Sequence, residues 1–129
     1  MSRIEKDIDE LKAKFGDRLV VKPLPSGTRL IEIQNYKLPA GWDQQQPVTI
    51  IFTVPPAFPA AQPDCFWVEP GQLRFNGGNT PQNCNDSNPI PEVGPRGTWF
   101  SWHMQGWNPN LHTLMGFFKV IEQRLNPPR

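Results

Sequence analysis

The sequence predicts an α+β fold in which helices pack on an antiparallel sheet, and three observations support this. Apolar residues recur at helical spacing near each end of the chain. Between these two segments, short runs of alternating apolar and polar residues are separated by proline and glycine, which is typical of strands joined by turns. Strands grouped between helices favour α+β over alternating α/β architectures. The 129 residues are expected to form one domain, 1–129.

The first helix is predicted from Ser2 to Phe15. One face of this segment is apolar and consists of Ile4, Ile8, Leu11 and Phe15. Ser2 and Glu5 have the spacing of a capping box, and Gly16 stands where a helix is expected to end.

Four strands are predicted to follow as a meander. They cover residues 18–22, 29–36, 48–54 and 65–69, with a proline-rich turn before the last strand. In residues 71–98, 14 of 28 are Gly, Pro or Asn, so we expect a long loop, of a kind that is usually either functional or disordered.

The second helix is predicted just after this loop and an aromatic segment. Asn108 is a suitable N-cap, Pro109 suits the first turn, and Asn126-Pro127-Pro128 ends the helix. Its apolar face is expected to comprise Leu111, Leu114, Met115, Phe118, Ile121 and Leu125.

The composition disfavours several classes of main partner. Thirteen basic and 12 acidic residues leave a net charge of +1, which disfavours nucleic acid or an anionic membrane as the main partner. No apolar run is long enough for a membrane helix, and the N-terminus lacks a signal-peptide core, so a cytoplasmic protein is expected. Cys65 and Cys84 are expected to be free thiols. No metal-ligand spacing is present, and no cofactor is expected.

Residues 99–109 are the best candidate for a chemical site. In an extended segment Ser101 and His103 point to the same side, so the imidazole could act as the base for a serine nucleophile. The plainer interpretation is a serine that satisfies backbone groups and a histidine packed among aromatic residues. Trp99, Trp102 and Trp107 are either core residues or anchors for a binding partner.

Other residues could contribute to the same chemistry. Cys84 is a rival nucleophile because thiols are intrinsically more nucleophilic, although it lies far before Trp107 unless the loop folds back. Asn76 and Asn79 flank Gly77-Gly78 and could donate hydrogen bonds to an oxyanion, or could simply form a glycine turn. Cys65 is expected to be an inert, buried thiol, and His112 a solvated residue on the last helix.

The order of these motifs resembles that of ubiquitin-conjugating enzymes. The turn Pro55-Pro56-Ala57-Phe58-Pro59 with Pro63 is similar to the tyrosine-proline turn of that fold, and Trp107-Asn108-Pro109 to its tryptophan-x-proline motif. Residues 30–125, with Leu38-Pro39-Ala40-Gly41 and Ser101-Trp102-His103, resemble the prokaryotic family-E ubiquitin-conjugating-like proteins of bacteria. The resemblance implies a UBC-like fold.

The resemblance also implies a function in a bacterial ubiquitin-like modification pathway, with antiviral defence as a candidate role. The partners would be a ubiquitin-like protein and its activating enzyme, and the activity an acyl transfer with the acyl group held as an ester on Ser101. The histidine-proline-asparagine motif is missing, since residues 70–98 contain no histidine, and no cysteine stands shortly before Trp107. A non-catalytic binding protein, a serine hydrolase of the ubiquitin-like tail, and a carbohydrate- or peptide-binding domain therefore remain alternatives.

Overall fold

The computed structural model describes residues 2–129, which form an α+β fold as predicted. The two α-helices are α1 (Arg3–Phe15) and α2 (Leu114–Leu125). The strands are β1 (Leu19–Pro23), β2 (Arg29–Tyr36), β3 (Val48–Val54), β4 (Phe66–Glu69), β5 (Cys84–Asn85) and β6 (Thr98–Phe100). They form one antiparallel sheet in the order β1-β2-β3-β4-β6-β5.

Helix α1 forms as its capping signals predict. Ser2 is the N-cap, and its Oγ accepts a hydrogen bond from the Glu5 amide at 3.3 Å. Gly16 follows the last residue with a φ of 57°, a conformation that glycine adopts without steric cost. The apolar face then buries Ile8, Leu11 and Phe15 in the main core.

The sheet separates a large core from a small one. In β3, Ile50 and Phe52 face the helices, whereas Ile51 faces the opposite side. The small core on that side is formed by Leu30, Ile51, Trp67 and Ile90, with Cys65 and Trp99 packed against it. Cys65 is a half-buried free thiol, and its burial raises its pKa.

Residues 71–98 fold back onto the sheet and contain more structure than the sequence predicts. Strand β5 pairs with β6, which places Cys84 opposite Phe100. Asp86 holds the loop in place by accepting hydrogen bonds from Thr98 Oγ1 at 2.6 Å and from Arg74 Nη2 at 2.6 Å. Strands of two and three residues are too short to show an alternating pattern, which is why the sequence predicts only four strands.

Helix α2 begins later than predicted, at Leu114, with Thr113 as its N-cap. The prediction of Asn108 as N-cap is wrong: its side chain accepts a hydrogen bond from the Asn110 amide, and its carbonyl accepts from Leu111 and His112 in a separate turn. As a result Leu111 lies outside the helix and is 72% exposed, rather than on its apolar face. The predicted end is confirmed, since the helix stops at Leu125 before Asn126.

His112 also differs from the expectation of a solvated helical residue. It precedes α2, is partly buried, and its Nδ1 accepts a hydrogen bond from the Asn108 amide at 2.8 Å. Its ring packs on that of Trp107, with centroids 5.6 Å apart.

No helix within residues 2–129 combines the length and the apolar character needed to cross a membrane.

Candidate functional site

The folded-back loop brings two distant segments together beside helix α2. The Ser101 amide donates a hydrogen bond to the carbonyl of Asn83 at 2.9 Å, directly after the β5–β6 pairing. A cavity of about 420 Å³ opens at this junction. It is lined by Asn83, Ser101, Trp102, His103, Met104, Gln105, Val120 and Gln123. The structure thus places the predicted serine and histidine in one cavity.

Ser101 and His103 are accessible in this cavity, but their side chains are not hydrogen-bonded to each other. Both residues are exposed, with the His103 side chain at 45%. His103 Nδ1 lies 3.9 Å from an Asp64 carboxylate oxygen, a separation that a small side-chain movement could close. None of the hydrogen bonds among residues 2–129 joins the serine hydroxyl to the imidazole, so a serine–histidine pair would have to form on substrate binding.

Gln62 fixes the segment that carries these two side chains. Its Nε2 donates to the carbonyl of Met104 at 2.8 Å, and its Oε1 accepts from the amide of Met104 at 2.9 Å. Both backbone polar groups of one residue are therefore satisfied by one side chain from the turn before β4. This contact anchors an otherwise irregular segment to the turn before β4.

Cys84 lies one residue from the same junction, on the core side of β5. It is half-buried, and its thiol donates a hydrogen bond to the carbonyl of Pro81 at 3.2 Å. Burial raises the pKa of Cys84, while the positive charges of Arg124 and Arg74 act in the opposite direction. The thiol is thus close to the cavity without lining it.

The three tryptophans of the aromatic segment occupy different surroundings. Trp99 packs against the small core. Trp102 lies beside the cavity and packs partly against the main core. Trp107 is partly buried near Phe58, and its Nε1 donates to the carbonyl of Pro59 at 2.8 Å. All three are partly buried, and Trp102 is the one placed to contact a ligand in the cavity.

Asn76 and Asn79 are exposed on a turn away from this cavity. The Asn79 carbonyl accepts a hydrogen bond from the Phe75 amide at 3.0 Å, which closes the turn around Gly77-Gly78. Asn76 lines another cavity, next to Trp42, and neither asparagine is among the residues that line the cavity of Ser101.

Three residues important to the site were not identified from the sequence. Asn83 contributes the carbonyl that pairs with Ser101, Gln62 anchors Met104, and Arg124 lies buried next to Trp102. Only Arg124 could have been found from the sequence, because it stands three residues after Ile121 and seven after Phe117, the spacing of the apolar face of the helix. The contacts of Asn83 and Gln62 depend on loops that have no periodic pattern.

The comparison with known protein families agrees with this geometry. A family described as prokaryotic E2 family E matches residues 8–127. The chain belongs to this family. Its helix–sheet–helix arrangement is accordingly a UBC-like fold, and the resemblance inferred from the motifs is confirmed. No curated protein and no solved structure matches the chain.

Membership of prokaryotic E2 family E assigns the protein to the E2-like conjugating proteins in general. Such proteins interact with a ubiquitin-like protein and an activating enzyme. Ser101 and His103 line the cavity at the junction of β5, β6 and α2, whereas Cys84 lies in β5 and is not among the residues that line it.

Proposed function

We propose that this protein is a bacterial, cytoplasmic acyl carrier that accepts the C-terminal acyl group of a ubiquitin-like protein from an activating enzyme. One observation carries the proposal: the hydrogen bond from Ser101 to Asn83 brings both candidate nucleophiles, Ser101 and Cys84, to one junction. The open cavity of about 420 Å³ beside it can admit an extended peptide tail. The acyl group is then passed to an amine or to water.

Ser101 is the carrier that accessibility favours. Its hydroxyl oxygen attacks the carbonyl carbon of the activated acyl group, and the bond to the activating enzyme's leaving group breaks. His103 takes the hydroxyl proton and returns it to the leaving group, so an ester remains on Ser101. The exposure of both side chains in one cavity supports this step.

Cys84 is the second candidate carrier, and two observations support it. The loop folds back, which removes the objection that Cys84 is too far from Trp107 in the sequence. The guanidinium groups of Arg74 and Arg124 favour the thiolate, the form that attacks. Against it stand the half-burial of the thiol and its raised pKa.

A second function, binding without catalysis, is favoured by one specific observation. The serine hydroxyl and the imidazole of His103 share a cavity without a hydrogen bond, so no base is in place before a ligand binds. A protein of this kind would hold the ubiquitin-like protein or the activating enzyme without accepting the acyl group.

Adduct formation separates these functions. The protein is mixed with the activating enzyme and the ubiquitin-like protein encoded next to it, and with ATP, and its intact mass is measured. We expect an adduct that survives thiol reductant, is cleaved by mild base and is lost in Ser101→Ala. His103→Gln should slow its formation by about 100-fold, the usual contribution of a positioned base. Ser87→Ala, an exposed serine in the loop, is the matched control and should leave the adduct unchanged.

The alternatives give different results in the same experiment. A reductant-sensitive adduct that is lost in Cys84→Ala, with Cys65→Ala as its control, would transfer the carrier role to Cys84. Binding without an adduct would assign the protein to the non-catalytic class. Rapid release of the ubiquitin-like protein with a free C-terminal carboxyl group would indicate a hydrolase.

A further inference from the structure

A second cavity, of about 240 Å³, adjoins the candidate acyl site. It is lined by Gln82, Asn83, Trp102, Arg124 and Arg129. Asn83 and Trp102 also line the larger cavity, so the two spaces share a wall. Two of its five residues are arginines, and none has an acidic side chain.

Arg124 is the unusual member of this group. It is 1% exposed, and its Nη2 donates to the carbonyl of Gln82 at 2.6 Å. Its Nη1 is buried and has no hydrogen-bond partner, the one such side-chain atom found in residues 2–129. A buried guanidinium donor without an acceptor is unfavourable, so this position favours a ligand that supplies an oxygen.

Arg129 adds a second positive charge to the same cavity. The guanidinium carbons of Arg124 and Arg129 each lie 5.4 Å from the centre of the Trp102 ring. None of the salt bridges within residues 2–129 involves either arginine. Two guanidinium groups that contact one ring and form no ion pair with the described residues give this cavity a positive charge.

We propose that this cavity binds a carboxylate, which lies between Arg124 and Arg129 and accepts hydrogen bonds from both. Guanidinium groups match the planar geometry of a carboxylate, and the remaining lining residues, Gln82, Asn83 and Trp102, are uncharged. The source of the carboxylate rests on the proposed function: it is an acidic side chain of the ubiquitin-like protein, whose C-terminal tail enters the adjoining cavity.

The carboxylate itself is tested on the isolated protein, without acyl transfer. Sodium acetate is titrated into ¹⁵N-labelled protein at constant ionic strength, and the Trp102 indole N–H signal, assigned with Trp102→Phe, is followed by NMR. We expect a saturable shift whose dissociation constant rises about tenfold in Arg124→Met, the effect of losing one charge-assisted hydrogen bond. Arg129→Gln, at an exposed position that does not endanger folding, should also weaken binding.

Lys119→Gln is the matched control, because it removes one positive charge from the exposed surface of the same helix. It should leave the dissociation constant unchanged. The proposal is overturned if acetate gives no saturable shift, or if Lys119→Gln weakens binding as much as the arginine variants. Saturation by inorganic phosphate but not by acetate would overturn the assignment to a carboxylate.

The source is tested separately with the adduct assay. In Arg129→Gln, the concentration of ubiquitin-like protein that gives half-maximal adduct formation should rise several-fold, while the maximal rate is retained. If this half-maximal concentration is unchanged in Arg129→Gln while the wild type still binds acetate, the carboxylate does not come from the ubiquitin-like protein. The acyl-carrier function would not be affected by that result. Absence of any adduct with acetate binding intact would instead refute the acyl-carrier function alone.

Discussion

Met104 is the residue through which the candidate site is attached to the rest of the fold. It follows His103 directly, and both its backbone polar groups are bonded to Gln62. The reactive side chains themselves make few contacts, so their positions depend on the backbone that carries them. Gln62 is therefore a positioning residue, acting on the site through Met104.

Gln62→Ala should loosen this segment without unfolding the protein. The loss of two hydrogen bonds is expected to cost about 1–2 kcal/mol in the free energy of unfolding. Amide hydrogen exchange at Met104 should become at least tenfold faster, and adduct formation should slow. Gln45→Ala, an exposed glutamine elsewhere, is the control; equal protection of Met104 in both variants would contradict the positioning role.

At the level of secondary-structure elements, β6 sets the position of Ser101, and Gly97 is what allows β6 to pair. Gly97 has a φ of +72°, and a Cβ atom there would lie 2.8 Å from the carbonyl carbon of Val68 in β4. This backbone approach leaves no room for a side chain. The start of the strand that leads to the site thus depends on a glycine.

Gly97→Ala should destabilise the protein by about 2–4 kcal/mol, because it combines a steric overlap with an unfavourable φ. The control is Gly106→Ala, where φ is +63° but no atom lies within 4 Å of the new Cβ. Urea unfolding should show a loss of only about 1 kcal/mol there, from the φ alone. Equal losses in the two variants would show that contact with β4 is unimportant.

Hydrogen bonds with helix α1 determine where helix α2 begins. The buried carboxylate of Asp7 accepts a hydrogen bond from the Leu114 amide at 3.1 Å, and Arg3 donates to the carbonyls of Pro109 and His112. The turn before α2 is therefore tied to α1 rather than continuing as helix from Asn108.

Asp7→Ala should remove an acceptor at the first turn of α2 and the ion pair of Asp7 with Arg3, which measures 3.2 Å. We expect a loss of about 1–3 kcal/mol in the free energy of unfolding, measured by thermal or urea denaturation. Asp9→Ala, on the exposed face of the same helix, should change stability by less than about 0.5 kcal/mol. If Asp9→Ala lowers the free energy of unfolding as much as Asp7→Ala, the contacts of Asp7 are not the cause of the loss.

Across the whole molecule, a charge cluster on the face opposite the helices joins three strands and the long loop. Glu32 in β2 is buried and lies 3.0 Å from Lys22 of β1 and 3.2 Å from Arg96 of the loop. Arg96 also pairs with Glu69 of β4 at 2.7 Å. The cluster fastens the loop that ends in β6, so it supports the candidate site from the far side of the sheet.

This cluster predicts loss of stability in acid. Burial alone would raise the pKa of Glu32, but hydrogen bonds and charges from Arg96 and Lys22 hold it below the ordinary value of 4.5. A depressed pKa in the folded state contributes stability that is complete above the ordinary value and is lost as the pH falls through the folded-state pKa.

Urea unfolding between about pH 7 and pH 3 should therefore show a free energy of unfolding that declines below about pH 4.5. Glu32→Gln should make this decline shallower, because the variant has no carboxyl to protonate at this position. Glu10→Gln, an exposed residue of α1, should keep the wild-type slope. A slope unchanged in Glu32→Gln would mean that other carboxyl groups, such as Asp86, dominate.

The elements predicted well from the sequence are those with a repeated local pattern. Helix α1 differs by one residue at its start, and β2 and β3 match their predicted bounds. Each buries one face over many residues, so its period is visible in the chain. The bounds of α2 were less predictable because Asn108-Pro109 is a good helix start locally, whereas the contacts of Arg3 and Asp7 that override it come from the other end of the chain.

The candidate site was likewise predictable from the sequence only in part. The chain by itself indicated the family, the α+β order of elements, and Ser101, His103 and Cys84 as the groups able to carry chemistry. Only the folded structure shows that the segments of Cys84 and Ser101 meet at one junction and that Asn76 lies at another cavity. It also identifies Asn83 and Arg124 as residues of the site. The physical reason is that reactive side chains and periodic faces are local properties. Contacts across a long loop depend instead on single hydrogen bonds and ion pairs, such as those of Asp86, that leave no pattern in the sequence.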